Sequence, residues 1–360
     1  VRFLNQLEPD ALIDAFASHP PEGFVVLEGR AGPIPSTSRL APVFAAPFDL
    51  LTTADAALKQ RAAALPFFRY WSRCLRVRTA FVGSTVSEYS LSPRHTMPSQ
   101  WAATLLRRWG RRFGLLIFKD IPAASPLLSV ADNARADALV EACMAAGCVL
   151  VEGQALAYVP IDFPDLEAYL TRLSASRRKN LRRKLRSRAQ LEVRRIATGS
   201  EIFRDESTVD AYYSLYEAVY AQSDLHFDRL TREFFARVLR DSSAGGLVFE
   251  YRHAGSLVGW NLCFESDNKL IDKYIGLSYP QARECNLYFV SWMVNLEYAL
   301  ERGLTHYVAG WTDPEVKAQL GASFTFTRHA VYVRNPLLRR LARHFASRFE
   351  RDRAWQAATP

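Results

Sequence analysis

Leu270-Ile-Asp-Lys-Tyr-Ile-Gly-Leu-Ser278, then Tyr279-Pro-Gln-Ala-Arg-Glu-Cys285 and a long apolar segment from Asn286, is the stretch whose reading decides the fold. Its first part is rich in Ile, Leu and Tyr, which suit a pleated strand. Proline and polar residues then mark a turn. Beyond Asn286, Phe289, Met293, Leu296 and Leu300 fall at the spacing that lines one helical face, and Gly303 supplies a stop. A short strand over 306–310 leads into Thr312-Asp-Pro-Glu-Val-Lys-Ala-Gln-Leu-Gly321. There Thr312 or Asp313 can cap a helix, Pro314 suits its first turn and Gly321 ends it. A strand that feeds a helix N-terminus through a turn offers backbone N–H groups and a helix dipole to an anion. The expectation is a gap between two splayed strands, with unpaired amides over 278–286 that receive a phosphorylated donor.

The chain of 360 residues is long enough for two domains, and 49% hydrophobic with 23% charged residues is a globular composition. No apolar run of about 18 residues occurs, so no transmembrane helix is expected. The first ten residues lack the apolar stretch of a secretory signal. Five cysteines (Cys74, Cys143, Cys148, Cys263, Cys285) are an odd number without metal-ligand spacing. They read as reduced, buried thiols of a cytoplasmic protein, and no metal is expected. Cys285, at the turn, is the one placed to act as a nucleophile. Lys and Arg total 46 against 37 Asp and Glu, a net charge of +9. That favours an anionic partner: nucleic acid, a phosphorylated cofactor or an acidic membrane surface.

Four segments follow from the pattern. Residues 1–164 alternate short strands (23–30, 75–90, 113–120, 148–160) with helices (98–112, 133–146), around a Pro/Ser-rich connector at 31–47. Residues 165–189 form a basic linker helix, with Leu166, Leu170, Leu173, Leu181 and Leu185 at helical spacing. Between Arg172 and Arg188 lie nine Lys or Arg residues and no acid, with Arg178, Arg182 and Arg186 stacked four apart. Like charges at that spacing repel, so the segment is either a solvated face or an anion-binding helix. Residues 190–335 give the order βααβββαβαβ, with an aromatic stripe of Tyr212, Tyr213, Tyr216 and Tyr220 on the first helix. Residues 336–360 form an amphipathic helix and tail, with Leu337, Leu341, Phe345 and Phe349 on one face and arginines elsewhere. That helix either docks on the domain or makes a peripheral contact with an anionic membrane.

The element order over 190–334 resembles the Gcn5-related N-acetyltransferase (GNAT) fold. The finer resemblance is to FemAB-like and BioF2-like acyltransferases. Three segments carry it: Tyr169-Leu170 with the basic run Ser176-Arg-Arg-Lys-Asn-Leu-Arg-Arg183, Leu225-His-Phe-Asp-Arg-Leu-Thr-Arg-Glu-Phe-Phe235, and Gly310-Trp-Thr-Asp-Pro-Glu-Val-Lys-Ala-Gln-Leu-Gly321. The resemblance implies an α/β (α+β) chain of two tandem GNAT-like domains, each a mixed, largely antiparallel sheet flanked by helices, the first a divergent copy. Two departures stand out. The turn reads Gln281-Ala-Arg-Glu-Cys-Asn286, with none of the glycines that let acyl-CoA pyrophosphate approach the backbone. Val316 stands where the FemAB branch has an aromatic residue before its closing lysine, which Lys317 matches.

Acyl transfer to an amine needs a free amine, a path for its proton and donors for the carbonyl oxygen as it gains charge. The resemblance makes Lys317 that donor. Tyr274 is a candidate proton donor, and His226, His306 and His329 are candidate bases. Lys273 and Tyr274 alternate faces, and Asp272, on the face of Tyr274, is placed to orient an amine. Lys273 and Trp311 join it as candidate substrate contacts. Gln281, Arg283, Asn286 and Tyr288 lie at the turn and helix start that would hold the donor. Arg178 and Arg182 would add charge-assisted bonds to its phosphates. With no Gly-x-Ser-x-Gly turn, a covalent acyl-enzyme is not expected. Three readings stay open. One is transfer from acyl-CoA (acetyl or longer) to an amine acceptor in cell-envelope or polysaccharide metabolism. The second is aminoacyl transfer from tRNA to peptidoglycan bridges. The third is an inactive tandem fold that binds RNA or anionic lipid.

Overall fold

The computed structural model describes residues 2–29, 41–50, 60, 61, 63–223 and 226–345. Part of the expected 31–47 connector, Arg30, Leu225 and Phe349 lie outside the described residues. The strands are β1 (Val25–Glu28), β2 (Val43–Asp49), β3 (Arg76–Val82), β4 (Leu115–Ala123), β5 (Val149–Pro160), β6 (Leu191–Ala197), β7 (Gly246–His253), β8 (Ser256–Ser266), β9 (Lys269–Leu277), β10 (His306–Gly310) and β11 (Ser323–Val333).

Two compact units divide the chain. One comprises Val1–Gln6, Pro20–Ala155 and Thr325–Pro360, the other Leu7–His19 and Leu156–Phe324. These units cut the chain differently from the linear boundaries expected at 164, 189 and 335. Residues 7–19 join the second unit, the basic segment is part of that unit rather than a linker, and most of β11 joins the first. The cause is strand pairing, which ignores sequence order: β11 lies antiparallel to β4, from Phe326↔Ala123 to Val333↔Leu115.

In the first unit, β1–β2 and β2–β3 are antiparallel and β3–β4 parallel. Phe24, Phe44 and Phe81 stack at 5.0 Å between successive ring centroids in its core. The Pro98–Trp109 helix joins the parallel pair and buries Trp101, whose ring meets Phe118 edge-on at 5.9 Å. The β3–β4 pairing ends at Val82↔Phe118. β3 ends there; the Lys119 stem lies beside Gly83 and its Nζ donates to Ser84 O at 2.9 Å.

In the second unit, β6 to β9 form an antiparallel meander, β9 and β10 run parallel, and β10 is antiparallel to the end of β5. Successive strand residues face opposite sides of a sheet. Trp260 therefore faces the Glu206–Gln222 helix, stacking on Tyr212 at 5.3 Å, while Asn261 faces the Leu287–Glu301 helix. Asp205 and Thr231 cap the Glu206–Gln222 and Arg232–Leu239 helices by accepting from Ser207 and Phe234 amides. The expected aromatic stripe is core: Tyr216 meets Phe235 at 4.6 Å. On the other face the Leu287–Glu301 helix is buried along much of its length, with Trp292 edge-on to Tyr307 at 5.0 Å.

The Pro336–Phe345 helix belongs to the first unit. Leu337 and Leu341 are 78% and 55% exposed, so the docked arrangement of those two leucines is not what the structure has.

Candidate functional site at the β9–β10 fork

β9 and β10 pair only from His306↔Lys269 to Val308↔Ile271, then part. Beyond that point Asp272, Lys273, Tyr274 and Ile275 are half-buried, whereas Lys269, Leu270 and Ile271 are buried. The splayed pair expected from sequence is present.

A bulge alters what the fork displays. Leu262 lies opposite Tyr274 and Cys263 opposite Asp272, so Lys273 is an extra residue on β9. Asp272 and Tyr274 consequently face opposite sides, not one side as simple alternation predicts. Tyr274 packs edge-on against Phe234 and Phe235 at 5.7 and 5.4 Å, on the face of the Arg232–Leu239 helix. That placement is core packing and corrects the assignment of Tyr274 to the Asp272 face. Lys273 pairs with Glu8 at 3.5 Å, with side chains 6% and 0% exposed. It is an internal ion pair, which removes Lys273 from the substrate contacts.

Asp272 instead anchors a polar network inside the apolar layer. Its carboxylate accepts from Tyr307 Oη at 2.8 Å, Asn295 Nδ2 at 2.9 Å and Asn261 Nδ2 at 3.4 Å. Asn261 Oδ1 in turn accepts from Tyr251 Oη at 2.9 Å. Burial pushes the Asp272 carboxyl above its usual range, against the Tyr307 hydrogen bond and the nearby Lys317 cation, which pull it down. Asn261, Asn295 and Tyr307 were not singled out from sequence. The available signal was two asparagines inside otherwise apolar runs, since a buried amide persists only where partners satisfy it.

Lys317 reaches the fork from the Pro314–Gln319 helix. Its side chain is buried, and Nζ donates to Ala309 O at 2.7 Å. A Cβ placed on Gly310 (φ +80°) would lie 3.8 Å from Asp272 O and 3.9 Å from Lys317 Nζ, so the ammonium sits where the strands separate. Gly321 (φ +92°) closes the segment: a Cβ there would come within 2.9 Å of Leu173. Tyr169 Oη bonds Leu320 O beside it and accepts from Trp292 Nε1 at 3.2 Å. The glycine–lysine–glycine spacing thus folds a lysine into the gap and lets the Leu166–Thr171 helix pack over it. Tyr288 is half-buried, and burial, then Asp313, then Asp272 push its hydroxyl up, which places it among these charges. Trp311 is half-buried directly after Gly310.

The turn differs from expectation. The amides of Ala282, Arg283, Glu284, Cys285 and Asn286 all donate to carbonyls within 278–283. A short helix, Gln281–Glu284, has consumed the N–H groups that were to cradle a phosphate. Gln281 accepts from Ser278 Oγ at 3.2 Å, Arg283 donates to Gln222 and lies over the Tyr279 ring, and the Asn286 side-chain Nδ2 donates back to Glu284 O. Cys285 is buried and its thiol is pushed up by burial and Glu284, the opposite of an activated thiolate.

The basic segment is two helices, Leu166–Thr171 and Ala175–Leu185. Arg178 donates to Thr171 O and Leu173 O at 3.4 Å, and Arg182 pairs with Glu167. Both fasten one helix to the other rather than standing ready for phosphates. Ser187, in the 3-10 turn after the second helix, donates through Oγ to Cys285 O, and Lys184 Nζ of that helix lies 3.3 Å from the centroid of the Phe289 ring on the Leu287–Glu301 helix.

The histidines fall elsewhere. His329 belongs to the first unit, where Nδ1 accepts the Asp120 amide at 3.0 Å and burial lowers its pKa. His306 is lowered by burial and then Lys269, and tilts against Tyr158 at 6.1 Å. His226 is edge-on to Tyr220 at 5.0 Å. A cleft of about 520 Å³ lined by Ile161, Phe163, Leu300, Leu304 and His306 lies at the start of β10, the end away from Gly310. Among the described residues no His/Cys/Asp/Glu cluster could hold a metal ion, and no helix is long and apolar enough to cross a membrane.

Residues 126–359 match the family model FemAB-like, described as peptidoglycan biosynthesis/recognition. A search of curated proteins returns no match. Two solved structures share the fold over nearly the whole chain. L-PGS from Bacillus licheniformis has a TM-score of 0.52 at 10% identity, covering 95% of this chain and 98% of its own. FemX has a TM-score of 0.50 at 11% identity, covering 94% of each chain.

Proposed function

Because the chain belongs to the FemAB-like family of acyl- and aminoacyltransferases on the GNAT fold, we propose that the β9–β10 fork transfers an aminoacyl group from a tRNA ester to an amine of a peptidoglycan precursor. The observation that carries this reading is the Lys317 ammonium, buried and fixed to Ala309 O at 2.7 Å at the point where the strands part. An ammonium has three donors. Held in place by Ala309 O, the Lys317 ammonium can stabilise the carbonyl oxygen as negative charge develops, without reorganisation during the reaction. The amine forms the new C–N bond and loses a proton; the ester C–O bond breaks and its oxygen takes one up. We assign the amine proton to Asp272, the carboxylate of the same cluster, whose basicity burial raises.

The donor is inferred from the turn. A CoA pyrophosphate needs close backbone approach and open amides. Ala282 to Asn286 spend theirs internally and carry side chains throughout. A tRNA ester makes no such demand. The reading places the chain in the cytoplasm, where charged tRNA is available.

A donor panel tests it. Incubation of the protein with mixed charged tRNA and a pentapeptide precursor should yield an amide product, whereas acetyl-CoA and longer acyl-CoAs should yield none. Product from acyl-CoA alone would replace the tRNA donor with a thioester.

A further inference from the structure

The cations of the basic helix fall into two sets. Arg172, Arg182 and Arg188 pair with Asp162, Glu167 and Glu297; Arg178 caps carbonyls; Lys184 lies on Phe289. The remaining four, Arg177, Lys179, Arg183 and Arg186, are exposed and have no ion pair among the described residues. Leu181 is buried, and at 100° per residue Lys179 and Arg183 stand on the side of the helix away from it, a side that Arg186, the helical C-cap that opens the following 3-10 turn, continues. They make a row of about 10 Å at 1.5 Å per residue. Like charges three and four apart repel, so this row costs the free protein stability and suits a polyanion laid along it. Its Arg186 end adjoins Ser187, which is bonded to Cys285 in the turn at the mouth of the fork.

Resting on the tRNA reading above, the geometry points to the row Lys179, Arg183 and Arg186 as the contact for the sugar-phosphate backbone of an RNA whose charged end enters the β9–β10 fork. The row fits RNA better than a lipid surface. A helix that lies on a membrane inserts an apolar face, yet here Leu181 is spent on the core, Leu185 is partly buried against it, and Ser176, Asn180 and Arg182 share the outer side. Nothing apolar is left outward to enter a bilayer.

The test is salt-dependent binding of uncharged mixed tRNA by full-length protein. It compares Lys179→Gln/Arg183→Gln/Arg186→Gln with a control that also removes three exposed cations, Arg204→Gln/Arg237→Gln/Arg302→Gln. Counterion release gives about 0.7 of a slope unit per phosphate contact on a single strand. The row variant should therefore flatten the log affinity against log salt plot by about 2 and weaken binding by roughly tenfold or more at physiological salt. The control should keep most of both, and circular dichroism confirms that each variant folds. Equal loss in the two triples would reduce the row to net charge and overturn the assignment. So would loss of binding to phosphatidylglycerol vesicles with tRNA affinity retained. The two readings fail separately. Unaltered tRNA affinity in the row variant, with charged-tRNA transfer intact in the wild type, removes the row and leaves the proposed reaction standing. No tRNA binding or transfer by the wild type removes both.

Discussion

Lys273→Met separates a structural role for Lys273 from a role in binding substrate. The Lys273 ammonium lies 3.5 Å from the Glu8 carboxylate, with side chains 6% and 0% exposed. At that distance and an effective dielectric of about 20 the attraction is about 5 kcal/mol. Breaking a buried pair from one side costs about 3–5 kcal/mol, because the other charge stays enclosed with that attraction lost. Replacing both partners by apolar groups is often neutral. With a urea slope of about 2 kcal/mol/M, Lys273→Met should lower the unfolding midpoint by roughly 1.5–2.5 M. Glu8→Leu/Lys273→Met should return to within about 1 kcal/mol of the wild type. Transfer per folded molecule should be unchanged in the double variant. Unaltered stability in Lys273→Met, together with lost transfer, would refute the reasoning and return Lys273 to the substrate contacts.

Further predictions follow from the same geometry. The folded pKa of Asp272 is raised above its ordinary 3.8. The native state therefore holds this proton where the unfolded chain has released it, and the stabilising contribution is lost as pH rises through the folded pKa. The unfolding free energy of the wild type relative to Asp272→Asn should thus fall as pH climbs above about 4; a rise over that range would contradict the burial assigned to this carboxyl. Gly321→Ala forces a side chain into a left-handed backbone and toward Leu173. It should cost about 1–3 kcal/mol in urea unfolding, and wild-type stability would mean that the Leu166–Thr171 helix does not pack there as described. Cys285→Ser should keep its transfer rate, measured on the same donor, and a large loss would restore a covalent role for the thiol.

The order of elements was legible because it rests on periodicity. The strand expected at 270–278 is Lys269–Leu277, the helix after Asn286 is Leu287–Glu301, the 306–310 strand is His306–Gly310, and the 312–321 segment holds Pro314–Gln319. Alternation along β9 misled at one place, since a bulge at Lys273 leaves no local mark and reverses the face of every residue after it. The turn misled for a related reason. Pro280 and the polar residues after it read as an open loop, but Ser278 O and Pro280 O nucleate a helical turn that takes up the amides. Arg178 and Arg182 looked free because their partners, Thr171 O, Leu173 O and Glu167, lie across a bend between two helices that periodicity runs together. Lys317 was singled out through the resemblance of residues 310–321 to the closing glycine–lysine–glycine segment of the FemAB branch. Asn295 and Tyr307, which hold Asp272 beneath it, become visible only once β9, β10 and their connecting helix are assembled.

The most direct test of the account is the single-turnover transfer rate of Lys317→Met, which keeps the buried stem and deletes the ammonium. Removing one donor to a developing oxyanion costs about 10²–10³ in rate. A fall of that size is expected, with tRNA affinity unchanged. A rate equal to that of the wild type in a folded variant would contradict it.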